Sequence, residues 1–162
     1  MNSIPIPQGK MWNSTSNKQK MKKLVFLGGT CGNNTWRDGF VERLTARGVA
    51  AEALFNPVVS PWNDEAQRRE DEAKKNATAN LFYLGDPKQD DNRVSYYSLL
   101  EATMGLYDNP EKTIVVFDST GMPKHAEKAS AKACKDLKAR FPQANIFATL
   151  AEAEEWLATS LV

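Results

Sequence analysis

A glutamate in an otherwise apolar segment is the residue of this sequence most suited to chemistry. Glu101 lies in the segment YSLLEATM of residues 97–104, whose apolar members are expected to be buried. A buried carboxylate costs free energy unless it is paired or put to use. The sequence alone leaves two interpretations open, a glutamate on the solvated side of a helix and a functional acid within a site.

A second group of acids, Glu70, Asp71 and Glu72, lies on a predicted helix earlier in the chain. The ordinary interpretation of most of these residues is a solvated helix face, because basic residues flank them on both sides. If one of them faces Glu101, the two carboxylates have the composition that cleavage of a glycosidic bond requires. One carboxylate would act as the nucleophile, and the other would handle the proton or a sugar hydroxyl.

The segment GGTCGNN of residues 28–34 follows the first predicted strand and is rich in glycine. Gly28 and Gly29 would let backbone N–H groups approach an anion or a sugar closely, and the following helix N-terminus adds a favourable dipole. The segment matches neither the G-x-G-x-x-G pattern nor the Walker A pattern. Binding of a nucleotide and simple turn formation therefore both remain as interpretations of this loop.

The same loop also has the cysteine-x5-arginine spacing with which phosphatases wrap a phosphate around a thiolate. Cys31 and Arg37 have five residues between them, and Asp118 would be the general acid. Low-molecular-weight tyrosine phosphatases place this motif after the first strand of a flavodoxin-like sheet. Here, however, Gly-Gly-Thr precedes the cysteine, Asp38 follows the arginine and the bulky Trp36 lies within the loop, which makes the phosphatase the weaker hypothesis.

Several aromatic side chains lie in or beside the loops that are predicted to form a site. Core packing is the commoner role of such residues, yet a flat nucleobase needs at least one aromatic or apolar platform. The aromatic residues in question are Trp36, Trp62, Tyr96 and Tyr97.

The elements that must position these residues alternate regularly between strand and helix. Such alternation predicts an α/β fold, a flavodoxin-like doubly wound sheet of five parallel strands in the order 2-1-3-4-5 with helices on both faces. Ligands in such sheets bind outside the carboxyl ends of strands 1 and 3, where the strand order reverses. The predicted strands are 24–27, 51–56, 81–84, 113–117 and 144–148. The predicted helices begin near residue 36 and span 64–77, 95–107, 124–140 and 150–161, and Ser95 is predicted to be the N-cap of the third helix.

The length of 162 residues fits one compact domain, which we predict to span residues 23–162 after a flexible basic arm of residues 1–22. Residues 1–23 contain five of the 21 basic residues and no acid, so 16 basic and 20 acidic residues remain and the rest of the chain carries a charge of −4. This balance argues against nucleic-acid binding by the folded part.

Two cysteines and one histidine offer no cluster with metal-ligand spacing, so neither a metal nor another cofactor is expected. The low cysteine content favours a reducing compartment. The sequence contains neither an apolar run long enough to span a membrane nor the apolar core of a signal peptide. A cytoplasmic protein with no membrane association is therefore the expectation.

Taken together, these segments resemble the nucleoside 2-deoxyribosyltransferase-like family. The resemblance covers about residues 24–118 and depends on the order and spacing of its parts rather than on any single motif. Two features depart from many members of the family, Asn80 in place of an aspartate at the start of strand 3 and Thr103 in place of a glycine two residues after the key glutamate. The parts that carry the resemblance are VFLGGT at 25–30, Trp36-Arg37, Phe55-Asn56-Pro57, the acid at 72, Ser95 and Leu99-Leu100-Glu101.

The resemblance implies cleavage or transfer at the N-glycosidic bond of a nucleoside or nucleotide, with Glu101 as the nucleophile that forms a glycosyl-enzyme intermediate. It implies that Glu72, with Asp71 as its neighbour, assists at the sugar and base, and that Ser95 contacts the sugar or its phosphate. It also implies a homo-oligomer, a dimer or larger. A non-catalytic nucleotide-binding module is the alternative. The substrate-binding residues expected on these grounds are Gly28, Gly29, Thr30, Trp36, Asn56, Ser95 and Tyr96.

Overall fold

The computed structural model describes residues 23–31, 36–85 and 94–161. Within these ranges five strands alternate with five helices, as predicted. Two short 3₁₀ turns, Ala51–Ala53 and Pro110–Lys112, complete the elements. The elements are β1 (Val25–Gly29), α1 (Trp36–Ala46), β2 (Leu54–Phe55), α2 (Asp64–Asn76), β3 (Ala79–Leu84), α3 (Tyr96–Asp108), β4 (Thr113–Phe117), α4 (Lys124–Arg140), β5 (Asn145–Phe147) and α5 (Leu150–Leu161).

The strands form one parallel sheet in the order β2-β1-β3-β4-β5, which confirms the predicted fold class and topology. The central pair is β1 and β3, whose register places Gly29 opposite Tyr83. The prediction for the second strand was wrong at residues 51–53, which form a 3₁₀ turn, and at residue 56, because only Leu54 and Phe55 pair with β1. β2 lies at the edge of the sheet, so it can form strand hydrogen bonds with only one neighbour, β1.

Helices cover both faces of the sheet, because successive residues of each buried strand point to opposite faces. On one face, odd-numbered residues of β1 and β3 such as Leu27 and Leu81 pack with α1 and α5. On the other face, even-numbered residues such as Phe26 and Phe82 pack with α2, α3 and α4. The acids on α2 and Glu101 on α3 therefore lie over the same face of the sheet.

The N-terminus of α3 is fixed by its cap residue. Ser95 has extended backbone angles and its Oγ accepts a hydrogen bond from the backbone N–H of Ser98, which confirms the predicted N-cap. The cap starts α3 beyond the carboxyl end of β3, and the helix then runs back across the sheet. Glu101 consequently lies in the second turn, within reach of α2 rather than at the rim.

Some predicted features lie outside the described residues. These are the N-terminal arm and the loop segments 32–35 and 86–93. Of the helices in the described part of the chain, none is both long and apolar enough to cross a membrane.

Close contact between β1 and β3 requires glycine at position 29. Gly29 has a φ of +111°, and a Cβ atom on it would lie 2.3 Å from the carbonyl oxygen of Tyr83. Directly after it, the backbone N–H of Thr30 donates to the same carbonyl at 3.0 Å. The carboxyl end of β1 therefore turns toward β3 where a side chain would force the strands apart.

We expect Gly29→Ala to destabilise the protein by more than about 2 kcal/mol, because backbone strain and a backbone clash add together. Gly48→Ala is the matched control, since Gly48 also has a positive φ, +91°, but its Cβ would meet nothing within 4 Å. Urea unfolding of both variants measures the difference. Equal losses of stability would show that the contact with β3 is not the constraint.

Candidate active site

A cavity of about 420 Å³ lies at the carboxyl end of β1, between α2 and the first half of α3. The loop that follows β2 closes one side of it. This is the crevice where the reversal of strand order leaves room for a ligand. Five of the ten residues that were predicted from the family resemblance to be catalytic or substrate-binding contribute to its walls, namely Gly28, Gly29, Asp71, Ser95 and Glu101.

The cavity reaches the backbone of β1 at position 28, because Gly28 has no side chain to fill the space above it. A Cβ atom on Gly28 would lie 2.9 Å from ring atoms of both Phe26 and Phe82. No larger residue fits there without displacing those rings. The backbone of β1 is thus left open to a ligand over this part of the sheet.

Glu101 projects from α3 into a short chain of charges. Its Oε1 accepts a hydrogen bond from Lys74 Nζ at 2.5 Å, and the same ammonium group contacts Glu70 Oε1 at 2.6 Å. The side chains of both glutamates are 19% exposed. Lys74 Nζ also lies 5.1 Å from the centre of the Phe26 ring. One cation therefore joins two carboxylates from different helices at the cavity wall.

The ammonium group of Lys74 is held in its charged form. Burial alone would lower the pKa of Lys74, but the hydrogen bonds to Glu101 and Glu70 outweigh it and raise that pKa above its ordinary value. Lys74 is therefore protonated at neutral pH and cannot serve as a general base. Because its folded-state pKa is raised, its contribution to stability is present at neutral pH and is lost only when the pH rises through that value.

The structure distinguishes the three acids of α2. Glu70 contacts Lys74 and lines the cavity. Asp71 and Glu72 are both exposed, but only Asp71 lines the cavity. The sequence named Glu70 only as one of three acids of which one could face Glu101, and it gave no role to Lys74. The spacing of Glu70 and Lys74, four residues apart on one helix, could have indicated a contact between them, but such pairs are ordinarily solvated ion pairs on a helix surface.

Arg37 is buried and shapes the end of β1. Its guanidinium group donates to the backbone carbonyls of Leu27 at 2.8 Å, Thr30 at 3.1 Å and Gly29 at 3.1 Å. Burial lowers the pKa of Arg37, an effect opposed mainly by Cys31. One side chain thus satisfies three carbonyls where β1 ends and its loop begins.

These contacts bear on the phosphatase hypothesis. Cys31 Sγ is 3.6 Å from Arg37 Nη2 and both residues line the cavity, but the guanidinium is already committed to carbonyl groups. Asp118, the other residue of that hypothesis, is buried and accepts a hydrogen bond from the Tyr83 hydroxyl at 2.9 Å. The geometry does not favour a phosphate held between Cys31 and Arg37.

Two predicted binding residues near the end of β1 are part of the core. Trp36 is buried, with its ring 4.9 Å from that of Tyr83, and its Nε1 donates to the Thr30 carbonyl at 3.3 Å. Thr30 is also buried, and its side chain donates to the Tyr83 carbonyl at 3.4 Å. Both residues pack behind the cavity wall and do not line the cavity.

Two further predicted binding residues also lie outside the lining. Asn56 is half-buried, and its Oδ1 accepts a hydrogen bond from the backbone N–H of Val58 at 3.0 Å, which shapes the loop after β2. Tyr96 is 91% exposed and borders a separate groove between α3 and α4. Neither side chain is brought to Glu101.

The mouth of the cavity is apolar and aromatic. Trp62 and Tyr97, both exposed, line it together with Val58 and Val59 from the loop after β2. Flat, exposed aromatic surface beside a polar interior suits a ligand with one planar apolar part and one polar part. Within residues 23–31, 36–85 and 94–161, no cluster of three or more potential metal ligands occurs.

Comparison with protein families gives a match. The sequence model of a family described as "nucleoside 2-deoxyribosyltransferase like" matches residues 22–120, which include β1 through β4 and every residue of the cavity described above. A search of curated proteins finds no match.

The role of Arg37 is open to a direct test. We expect Arg37→Met to destabilise the protein by about 3 kcal/mol or more, because three carbonyls would lose a charged donor, and only the Thr30 carbonyl would keep an N–H donor from another side chain, Trp36 Nε1. Arg43→Met on the same helix is the matched control. Arg43 is half-exposed and pairs with Glu154 on the surface, so its loss should cost less than about 1 kcal/mol. Denaturant unfolding gives both values, and similar costs would contradict this role for Arg37.

Proposed function

Because the chain belongs to the nucleoside 2-deoxyribosyltransferase-like family, we propose that it cleaves or transfers the N-glycosidic bond of a nucleoside or nucleotide, with Glu101 as the nucleophile. The observation that carries this proposal is the position of Glu101. Its carboxylate lines the cavity at the carboxyl end of β1, and one of its oxygens is anchored by Lys74. Membership of the family supports the reaction class, and the geometry supports the choice of residue.

In the first step, Oε2 of Glu101 attacks the anomeric carbon of the sugar. A carbon–oxygen bond forms as the carbon–nitrogen bond to the base breaks, and the electron pair leaves with the base, which takes up a proton. In the second step, water or an acceptor base attacks the same carbon and the electron pair returns to Glu101. Two displacements replace one difficult step, and the configuration at the sugar is retained.

Asp71 is the acid of α2 to which we assign the proton of the base. It lines the cavity, while Glu70 is engaged by Lys74 and Glu72 is exposed outside the lining. A carboxyl group near the leaving nitrogen can donate a proton in the first step and accept one from water in the second. This assignment differs from the one that the family resemblance implies for Glu72, and a pair of variants separates the two.

Substrate recognition follows from the two halves of the cavity. Gly28, Gly29 and the capped N-terminus of α3 at Ser95 present backbone and hydroxyl groups to the sugar side. Trp62 and Tyr97 present aromatic surface at the mouth, where the base would stack.

We also propose that the protein is a homo-oligomer that covers the outer face of α3. Tyr96, Leu100, Met104 and Tyr107 recur at helical spacing along that face and all are more than half exposed. A contiguous apolar stripe on a surface helix is a common mark of a protein interface. A second copy of the chain supplies the same stripe, and a two-fold axis would bring the two stripes together.

We expect Glu101→Gln to lower the release of free base by roughly a thousandfold or more, because the amide cannot form the glycosyl intermediate. The measurement is chromatographic separation of free base after incubation with 2′-deoxynucleosides and with nucleoside monophosphates, each with and without an acceptor base. Asp71→Asn should also slow release strongly, whereas Glu72→Gln should change it by less than about tenfold.

Binding controls separate loss of chemistry from loss of the site. Glu101→Gln should still be stabilised against thermal unfolding by any nucleoside that stabilises the unaltered protein. If the unaltered protein is stabilised by these compounds but releases no base from any of them, it is a non-catalytic binding module. If Glu101→Gln releases base at the original rate, Glu101 is not the nucleophile.

The interface proposal has its own test. Replacing Leu100 and Met104 together by lysine should dissociate the oligomer, because four like charges would face each other across a two-fold axis. Ala151→Lys, on the exposed surface of α5 over the opposite face of the sheet, is the control. Sedimentation velocity measures the mass of each. A monomeric unaltered protein would refute this interface.

A further inference from the structure

We infer that Lys74 is a positioning residue for the proposed reaction, one that keeps Glu101 ionised beside a second carboxylate and turns one of its oxygens toward the substrate. The inference rests on the proposed function, which identifies Glu101 as the nucleophile but assigns Lys74 no part. It follows from the contacts of three side chains, Glu70, Lys74 and Glu101.

The first step of the argument is geometric. Glu70 Oε1 and Glu101 Oε1 both lie within 2.6 Å of the same Lys74 nitrogen atom. The two carboxylates are therefore close neighbours, held together across the gap between α2 and α3 by one cation. Without the cation, each carboxylate would disfavour ionisation of the other, and one of the two would be expected to hold a proton to higher pH.

The second step concerns the consequence for the nucleophile. A protonated glutamate cannot attack an anomeric carbon, so a shared proton would keep Glu101 inactive part of the time. With Lys74 present, Oε1 of Glu101 is engaged in a charge-assisted hydrogen bond, which fixes the plane of the carboxylate. Oε2 is then the oxygen left for the substrate.

The third step considers the other titratable and charged groups near Lys74 on the elements that surround it. Asp71 from α2, Tyr97 from α3 and Cys31 after β1 line the same cavity, and Arg37 from α1 is committed to backbone carbonyls.

Below Lys74, Lys112 Nζ donates to the backbone carbonyls of Lys74 at 3.2 Å and Lys75 at 3.0 Å, so Lys112 holds the end of α2. Of the cations among the described residues that line the cavity, only Lys74 contacts Glu101. Its replacement by a neutral residue should leave the two glutamates with no cation in contact with both of them, although the charge of Arg37 would still act on Glu70 without forming an ion pair.

The test has one readout that needs no turnover. Glutamate labelled with ¹³C at Cδ is titrated by NMR, and the signal of Glu101 is identified by its absence in Glu101→Gln. In Lys74→Met, the titration midpoint of Glu101 should rise by more than about one pH unit. In the double variant Lys74→Met with Glu70→Gln, it should return most of the way, because the neighbouring negative charge is gone.

The second readout is the reaction. The acidic limb of the pH profile of kcat/KM for base release, measured with the best substrate of the nucleoside screen, should move upward in Lys74→Met and back in the double variant. Lys74→Arg keeps the charge and should keep the limb in place. A merely structural role for Lys74 would instead lower the rate by the same factor at every pH.

Opposite results decide against the inference. A Glu101 signal that titrates alike in the unaltered protein and in Lys74→Met would overturn it, as would a pH profile unmoved by the loss of Glu70. If Lys74→Met does not fold, Lys74→Gln removes the charge but keeps a hydrogen-bond donor, and it should show the same rise. Absence of base release by the unaltered protein would refute the proposed function, while the titration would still decide whether Lys74 controls the charge of Glu101.

Discussion

A single ammonium group joins the two helices that form the walls of the cavity. Lys74 bonds Glu70 on its own helix and Glu101 on the next, and the three side chains are only about one fifth exposed. Partly buried charges are stable only when their partners are near, so each of these residues requires the other two. This link joins α2 and α3 beside the Phe26 ring, at the wall of the cavity in which a ligand would lie.

A second constraint acts at the end of β1. The strand turns toward β3 at Gly29, where no side chain fits, and Arg37 reaches back from α1 to satisfy the carbonyls that the turn leaves open. Both residues line the same cavity as Lys74 and its two carboxylate partners. Glycine and arginine at these positions are therefore explained by backbone geometry before any ligand is considered, and the same geometry leaves backbone of β1 accessible to one.

The sequence was sufficient for the fold because the pattern of apolar runs, glycines and caps is local. Alternating strands and helices predicted the sheet order, and Ser95 was recognised as a cap from its place before an apolar helix. The second strand was predicted too long, since an apolar run alone does not reveal that an edge strand has only one neighbour.

The site was harder to predict because it depends on which way each helix faces. Glu70 and Lys74 are four residues apart and share a face of α2, whereas Glu72 lies two residues on and points away. Family resemblance and charge could not make that distinction, because the rotation of α2 is set by its packing against the sheet. The partner of Lys74, Glu101, is 27 residues away in the chain. The contacts of Arg37 could not be predicted from the sequence either, because its acceptors are backbone carbonyl groups, which every residue has.

The charges of the described cavity walls also bear on the kind of reaction that fits there. Beside the proposed nucleophile, Glu70 and Glu101 carry two negative charges against the single positive charge of Lys74, so this part of the wall is net negative. Glycosidic cleavage passes through a transition state with positive charge on the sugar, and a net negative wall stabilises that charge as it develops. A neutral Glu101 would remove this advantage as well as the nucleophile. The ion pairs of Lys74 thus meet two requirements of the proposed reaction, an ionised nucleophile and a net negative charge near the sugar. They allow two carboxylates to stay ionised side by side while only one of the two negative charges is cancelled.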